Sequence, residues 1–306
     1  MAEHHTRTYS LLVPCYNAAK YIDKFLENIA GLGRAFDEVI FYDDASSDGT
    51  GKLLRAKGQR VVEGKENRGP GYARNRLAEA AVSDHIHFHD IDDEFLPAFL
   101  GLVDDAFEKQ QIDIVVGNAD WLDAATREPL IRWRYDAQAM TLQPLRYFIM
   151  HPLGIINTVY KKTAFFKAGG FDEQVKCWED ADLHVRLAAA GLRFGLVDQV
   201  LAYSLRHDHG ISADQLWCWD CRLRFLRNYL EAYRAVLPEK IFVSELKRVQ
   251  AMYIRSEAYH KLDAVIAFQK QYQLPFRMTK TVMIYYASKL ISREVLTGIL
   301  NLIRKK

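Results

Sequence analysis

Over its first two hundred residues the chain alternates short β-branched or aromatic runs with stretches of helical spacing, and this rhythm restricts the fold more than any other feature. The runs YSLLVPCY (9–16), EVIFYDD (38–44), RVVEG (60–64), HIHFHDID (85–92), DIVVGNADW (113–121) and RFGLVDQVLAY (193–203) read as strands. Between the first two, Tyr21, Phe25 and Ile29 recur four apart, with Gly31 and Gly33 as stop signals. Helical patterns also span Gly69 to Val82, residues 95–110 and Glu179 to about Ala190. Strands joined by helices predict an α/β, Rossmann-like fold with a mostly parallel sheet flanked by helices. From about 122 to 152 the pattern weakens, which predicts a long, partly ordered connection of a kind that is often functional. After about residue 213 strand signals cease, while Phe242, Leu246, Val249 and Tyr253 keep an amphipathic helical spacing. Two regions are expected, 1–213 with the sheet and an α-helical region over 214–306.

Charge is nearly balanced, 41 basic against 39 acidic residues, so the chain lacks the excess of a dedicated nucleic-acid binder. The opening MAEHHTRTYS has no apolar h-region, and no uncharged apolar run approaches the roughly 18 residues of a spanning helix. With cysteines only at 15, 177, 218 and 221, these features predict a cytoplasmic protein. Cys218 and Cys221 form a C-x-x-C, but no second pair completes a zinc set, so they read as buried thiols on one helix.

The acids gather where an α/β sheet binds ligands, at the carboxyl ends of strands. Asp43 and Asp44 close the second strand, and Asp90 and Asp92 the fourth. Alternation places Ile86, Phe88, Asp90 and Asp92 on one strand face and His85, His87 and His89 on the other, buried or solvated rather than binding zinc. Asp93 and Glu94 are expected to start the following helix. Such dense carboxylates suit Mg²⁺ or Mn²⁺, completed by substrate phosphates; the alternative is a solvated loop. Glu179 and Asp180 open a helix, where acids complement the macrodipole. That explains one acid better than the gathering of Trp178, Glu179, Asp180 and Asp182 behind GGFDE.

Six segments in order, VPCYNAAKYI, VIFYDDASSDGT, NRGPGYARNRL, FHDIDDEFLP, GGFDE and WEDADLHVRL, resemble the family 2 glycosyltransferases of GT-A fold, from about Tyr9 to Ser212. The resemblance implies a metal-dependent, inverting hexosyltransferase that moves a sugar from a nucleotide-sugar, with a UDP-sugar as the expected donor. The implied acceptor is a saccharide or lipid-linked glycan of the cell envelope or an exopolysaccharide. Asp43 and Asp44 match the carboxylates that bind base and ribose, and Pro14, Tyr16 and Asn17 match the loop lining the nucleotide pocket. Asp90 and Asp92 match the D-x-D motif, with Asp92 in direct contact with Mn²⁺ or Mg²⁺ on the donor diphosphate. Asp180 matches the general base of the E-D motif, with Glu179 beside it. Arg74 and Arg76 either contact the diphosphate or stand solvated on their helix. His207 or His209 in YSLRHDHGIS resembles a segment that helps hold metal or diphosphate, the alternative being an exposed loop histidine.

The stretch 132–154 lies where acceptor recognition varies in that family, and it assigns no acceptor. No Q-x-x-R-W motif or spanning helix is visible, so processive synthesis through a membrane is not expected. Arg277, Lys280, Lys289, Arg293, Arg304, Lys305 and Lys306 stand against one acid, Glu294, interleaved with apolar residues. This pattern either rests on the anionic inner face of the cell membrane or packs on the catalytic domain. Two rival functions differ in what they need. A sugar nucleotidyltransferase calls for a Gly-rich basic loop after the first strand, where this chain has PCYNAAKY, and a membrane-surface scaffold has no use for three acidic pairs.

Overall fold

Tyr9–Cys15 forms β1, whose mostly apolar character suits a strand covered on both faces; every residue but Pro14 is buried. The remaining strands are β2 (Glu38–Asp43), β3 (Arg60–Glu63), β4 (His85–Phe88), β5 (Glu94–Phe95), β6 (Ile114–Asp123), β7 (Pro129–Trp133), β8 (Thr158–Lys161) and β9 (Phe194–Arg206). The computed structural model describes residues 7–207, 214–275 and scattered positions between 283 and 298. One sheet runs β3-β2-β1-β4-β8-β6-β9-β5, with β7 paired to β6. β1 pairs in parallel with β2 and β4, as do β2 with β3 and β6 with β9. Pairings of β8 with β4 and β6, β5 with β9 and β7 with β6 are antiparallel, so apart from β6–β9 the parallel pairs lie in the N-terminal half of the sheet. Strand order reverses between β1 and β4, and their carboxyl ends face the cleft at that switch point.

Helices α1 (Ile22–Ala30), α2 (Thr50–Ala56), α3 (Pro70–Ala80), α4 (Phe99–Lys109), α5 (Ala137–Leu142), α6 (Pro144–Met150), α7 (Lys162–Lys167) and α8 (Glu179–Ala189) accompany the sheet. On one face Leu11, Val13, Phe41, Val115 and Val159 pack with Phe25 of α1 and Phe99 and Val103 of α4. Elsewhere Phe88 meets Phe165 and Phe171 at ring distances of 5.2 and 5.3 Å. Pro70 opens α3 behind Gly69, whose φ of +91° lets the chain turn into the helix.

Two expectations change. The stretch 122–152 is mostly ordered: β6 continues to Asp123, β7 pairs back onto it, and α5 and α6 follow. Its strand is illegible in the sequence because β7 is an edge strand with four of five residues exposed, so no buried face imposes alternation. β4 stops at Phe88 rather than running to Asp92, and residues 89–93 form a turn.

The chain divides into two compact units, Met1–Asp208 and His209–Lys306. The second unit contains α9 (Gln215–Tyr233), α10 (Glu239–Arg255) and α11 (Leu262–Gln271). Phe242, Leu246, Val249 and Tyr253 are all buried, as their spacing requires, and Cys218 and Cys221 are buried thiols of α9. Arg222 and Glu245, each 1% exposed, pair at 2.6 Å between α9 and α10.

Candidate active site

The loops after β1 and β2 are tied together before any ligand contact is considered. Thr50 Oγ1 accepts the Ala18 amide (2.8 Å) and donates to Asp48 Oδ1 (2.5 Å), while Asp48 Oδ2 accepts the Ala19 amide (2.9 Å). Asn17 donates its amide to Ser46 Oγ and accepts the Ser47 amide, both at 2.9 Å. Asn17 and Ala45 hold left-handed backbones, φ 50° and 60°, at the tips of these two loops. Pro14 lies in β1 at the mouth, and Tyr16 is 54% exposed beside it.

Asp43 and Asp44 are buried and already occupied by main-chain amides. Asp43 accepts from Ser46 (3.0 Å) and Gly51 (3.1 Å), and a Cβ at position 51 would sit 2.3 Å from Asp43 Oδ2. Asp44 accepts from Arg68 and, at 2.8 Å, from Gly69. Both Asp43 oxygens and Asp44 Oδ1 accept one amide each and keep a second lone pair for a ligand donor, whereas Asp44 Oδ2 accepts from both Arg68 and Gly69.

The turn after β4 separates its acids by environment. The His89 amide still bonds Leu12 O, and then the Asp93 amide closes a turn onto Asp90 O (3.0 Å). Asp92 is pushed up to about 6, by burial first and then by the Asp90 charge, and its Oδ2 lies 3.6 Å from His207 Nε2. Tyr21, Phe25, Asn28, Ile91, Asp92 and His207 are among the residues around a cavity of about 120 Å³. Asp93 does not begin a helix: it is buried and accepts the Leu205 amide at 2.7 Å. Burial, then the Asp92 and Asp90 charges, push its carboxyl well up. Glu94 instead enters β5 opposite Tyr203, and the next helix waits until Phe99.

Arg74, expected as a solvated or diphosphate-binding residue, is 4% exposed and bridges two acids. It reaches Asp90 Oδ1 at 2.8 Å and Glu179 Oε1 at 2.9 Å. Burial opposes its charge, but the two carboxylates outweigh it and hold the guanidinium more firmly protonated. Arg76 turns to Glu79 (2.6 Å) and Glu173 (3.5 Å). Glu179 and Asp180 occupy the first turn of α8, preceded by Trp178 at φ +69°, a rare conformation for a bulky side chain. The Asp180 carboxyl is raised to about 7, by burial first and then by Glu179, although the Ala181 amide and Arg74 pull it down. His184 Nδ1 lies 2.7 Å from Asp180 O and its Nε2 2.8 Å from the Tyr160 hydroxyl. A carbonyl only accepts, so Nδ1 carries the proton and Nε2 accepts from Tyr160. Burial lowers this imidazole to about 3 and keeps it neutral.

The structure therefore joins Asp90, Arg74 and Glu179 directly, with Asp180 next in the chain, and sets Asp92 beside His207. His209 lies outside the described residues. His85, His87 and His89 are buried: His85 lies against Tyr9 and Phe107, while His87 contacts Thr158 O (2.9 Å) and His89 (3.1 Å). Sequence reading missed Thr50, Asp48, His184 and Asn75. Only Asp48, two residues before a helix in SSDGT, carries a local signal, that of a helix start. Among the described residues no three His, Cys, Asp or Glu side chains converge as a closed metal cage. Two hard carboxylates open to the cleft fit a Mg²⁺ or Mn²⁺ whose other ligands come from phosphate and water, since Arg74 occupies only one oxygen of Asp90.

Residues 10–169 match the sequence model of glycosyl transferase family 2. The minor teichoic acid biosynthesis protein GgaA of Bacillus subtilis is 26% identical over 242 residues, 75% of this chain and 54% of its own, so the chain spans about half of that relative. Among solved structures, S. aureus TarS 1–349 in complex with UDP-GlcNAc superposes with a TM-score of 0.60 at 19% identity, covering 81% of this chain and 73% of that one. The mannosyltransferase PcManGT of Pyrobaculum calidifontis, in complex with GDP-Man and Mn²⁺, gives 0.57 at 17% identity over 99% and 89%. Both structural likenesses concern the fold, the mixed α/β sheet with its flanking helices and helical C-terminal region.

Proposed function

Because the chain belongs to glycosyl transferase family 2, we propose that the cleft at the β1/β4 switch point transfers a sugar, with inversion, from a nucleotide-sugar to a saccharide or lipid-linked acceptor. A UDP-sugar is the donor we favour, in envelope or exopolysaccharide synthesis. The observation that carries the reading is Asp180: a carboxyl raised to about 7, one residue from Glu179, which Arg74 ties to Asp90. A general base works best with its pKa near the operating pH.

In this reading Asp180 accepts the proton of the acceptor hydroxyl as that oxygen bonds to the anomeric carbon and the bond to the diphosphate breaks. Single displacement inverts the centre and needs no enzyme nucleophile. Asp92 and Asp90 would hold Mn²⁺ or Mg²⁺, with His207 adjacent and His209 a further candidate. A bound divalent ion offsets charge on the leaving diphosphate and orients it. Arg74 keeps Asp90 and Glu179 at fixed separation, and Asp43 and Asp44, with the Pro14–Asn17 loop, receive the nucleoside. Bound UDP-GlcNAc in TarS and GDP-Man with Mn²⁺ in PcManGT support a nucleotide-sugar and a metal.

Residues 1–213 would then form the catalytic domain. Residues 214–306 would serve the acceptor or an anionic membrane face, supported by exposed Met283, Tyr286 and Leu290 next to Lys289. Among the described residues no helix is long and apolar enough to cross a membrane. Calorimetry against a panel of UDP- and GDP-sugars, with and without Mn²⁺, tests the proposal: a Mn²⁺-dependent donor is expected, and failure of every donor to bind refutes it.

A further inference from the structure

Asn75 is the neighbour of Arg74 on α3, yet it serves a different stretch of chain. Its Nδ2 donates to Phe171 O and its Oδ1 accepts the Phe171 N–H, both at 2.9 Å. One side-chain amide thus satisfies both main-chain groups of a residue 96 positions away, as an adjacent β-strand would. The reciprocity also fixes which end of the amide is which. Asn75 is buried, and space for the contact depends on Gly170: at φ +66°, a Cβ there would lie 2.7 Å from Asn75 Oδ1. Nδ2 is also 3.2 Å from Glu173 Oε1, and Lys176 Nζ donates to Arg68 O at 2.9 Å, just ahead of α3.

The segment between α7 and α8 contains no helix or strand, so its course is set from outside. α3 holds it at Phe171 and Glu173 through Asn75 and at Glu179 through Arg74, and it ends in the left-handed Trp178 that delivers Asp180. A matching device lies on α1. Asn28 donates to Phe95 O (3.1 Å) and accepts the Phe95 amide (2.8 Å), directly behind the Asp90–Asp93 turn. The Asp90–Asp93 turn and the segment leading to Glu179 and Asp180 are thus each tied to a helix by an asparagine amide acting as a surrogate strand.

We propose that Asn75 is a positioning residue for Asp180: by clamping Phe171 it fixes the segment that sets the base against Asp90, and with Arg74 it makes α3 the common gauge of both acidic loops. This rests on the reading of Asp180 as the base. The test compares full-length wild type with Asn75→Ala, Asn75→Asp, which keeps the acceptor and loses the donor, and Gly170→Ala, which crowds the same contact from the other side. Hydrogen exchange by mass spectrometry is expected to rise in peptides covering 169–182 and stay unchanged over β1 and β6. In transfer assays kcat should fall roughly a hundredfold, the scale of an ångström-sized misplacement, with donor KM within about threefold. Binding of the probe UDP with Mn²⁺ should be retained. Unchanged exchange at 169–182 in all three variants overturns the proposal. So does exchange that rises equally throughout the sheet, or a KM that rises as much as kcat falls, since either marks a merely structural residue. Absence of any transfer by wild type would instead count against the glycosyltransferase reading, and the exchange data would still decide the clamp.

Discussion

Asp180→Asn should make the protein more stable while removing its activity, and the gain should depend on pH. The folded carboxyl ionises at about 7 against an ordinary 3.8, with burial the larger cause and Glu179 the next. A raised acid pKa means that the native state binds more protons than the unfolded chain between those values. Stability contributed at Asp180 is therefore greatest below 3.8, declines as pH rises, and levels off above about 7. At about 1.36 kcal/mol per pH unit the full interval corresponds to at most about 4 kcal/mol. Asparagine has the neutral shape and no proton to lose, so its advantage over wild type should widen by roughly 2 to 3 kcal/mol between about pH 5 and pH 8. Urea denaturation of both proteins at the two pH values measures this without any substrate. A difference that stays flat with pH would refute the crowded, desolvated carboxyl, and with it the physical basis for a base at this position. Transfer by the variant at near the wild-type rate would separately refute the catalytic assignment.

Three other perturbations probe the frame around it. Arg74→Met leaves Asp90 and Glu179 without their shared cation and should destabilise the protein by roughly 3 kcal/mol, read as a fall in Tm; an unchanged Tm would mean that the bridge is dispensable. Glu245→Gln strips the buried Arg222 of its partner charge and should cost about 3 kcal/mol in the helical unit, visible as an early calorimetric transition. Asp92→Asn should weaken Mn²⁺-dependent donor binding by at least about tenfold while leaving metal-independent UDP binding in place, and equal loss of both would argue against Asp92 as a metal ligand.

Periodicity makes β1 and β2 legible because both are largely buried and carry mostly apolar runs. β7 leaves no such mark because an exposed edge strand has no such constraint. The extent of β4 is obscured for a different reason: alternation continues in HIHFHDID, but the partner of Asp93 is the Leu205 amide, 112 residues away, and nothing local announces it. The types of the acids are legible from their clustering, whereas their protonation is not. Asp43, Asp44, Asp90, Asp92 and Asp93 look alike in sequence, yet two are held by main-chain amides, one is bound to Arg74 and two are pushed upward by burial. Arg74 and Asn75 lie in an ordinary helical pattern, and their partners at Glu179 and Phe171 are about a hundred residues distant. Tertiary pairing at that range leaves no periodic trace.

The bonds joining Asn17, Ser46, Asp48 and Thr50 close entirely within the chain, so the two loops at the mouth take their form when the protein folds. The entropy of ordering them is spent in folding and does not recur each time a molecule is captured. If the nucleoside binds there as proposed, it would lose its own freedom and little of the host's. Substituting exposed Tyr16 would leave those bonds intact. Substituting Thr50 or Asp48 would break them, at a cost felt first in the melting temperature.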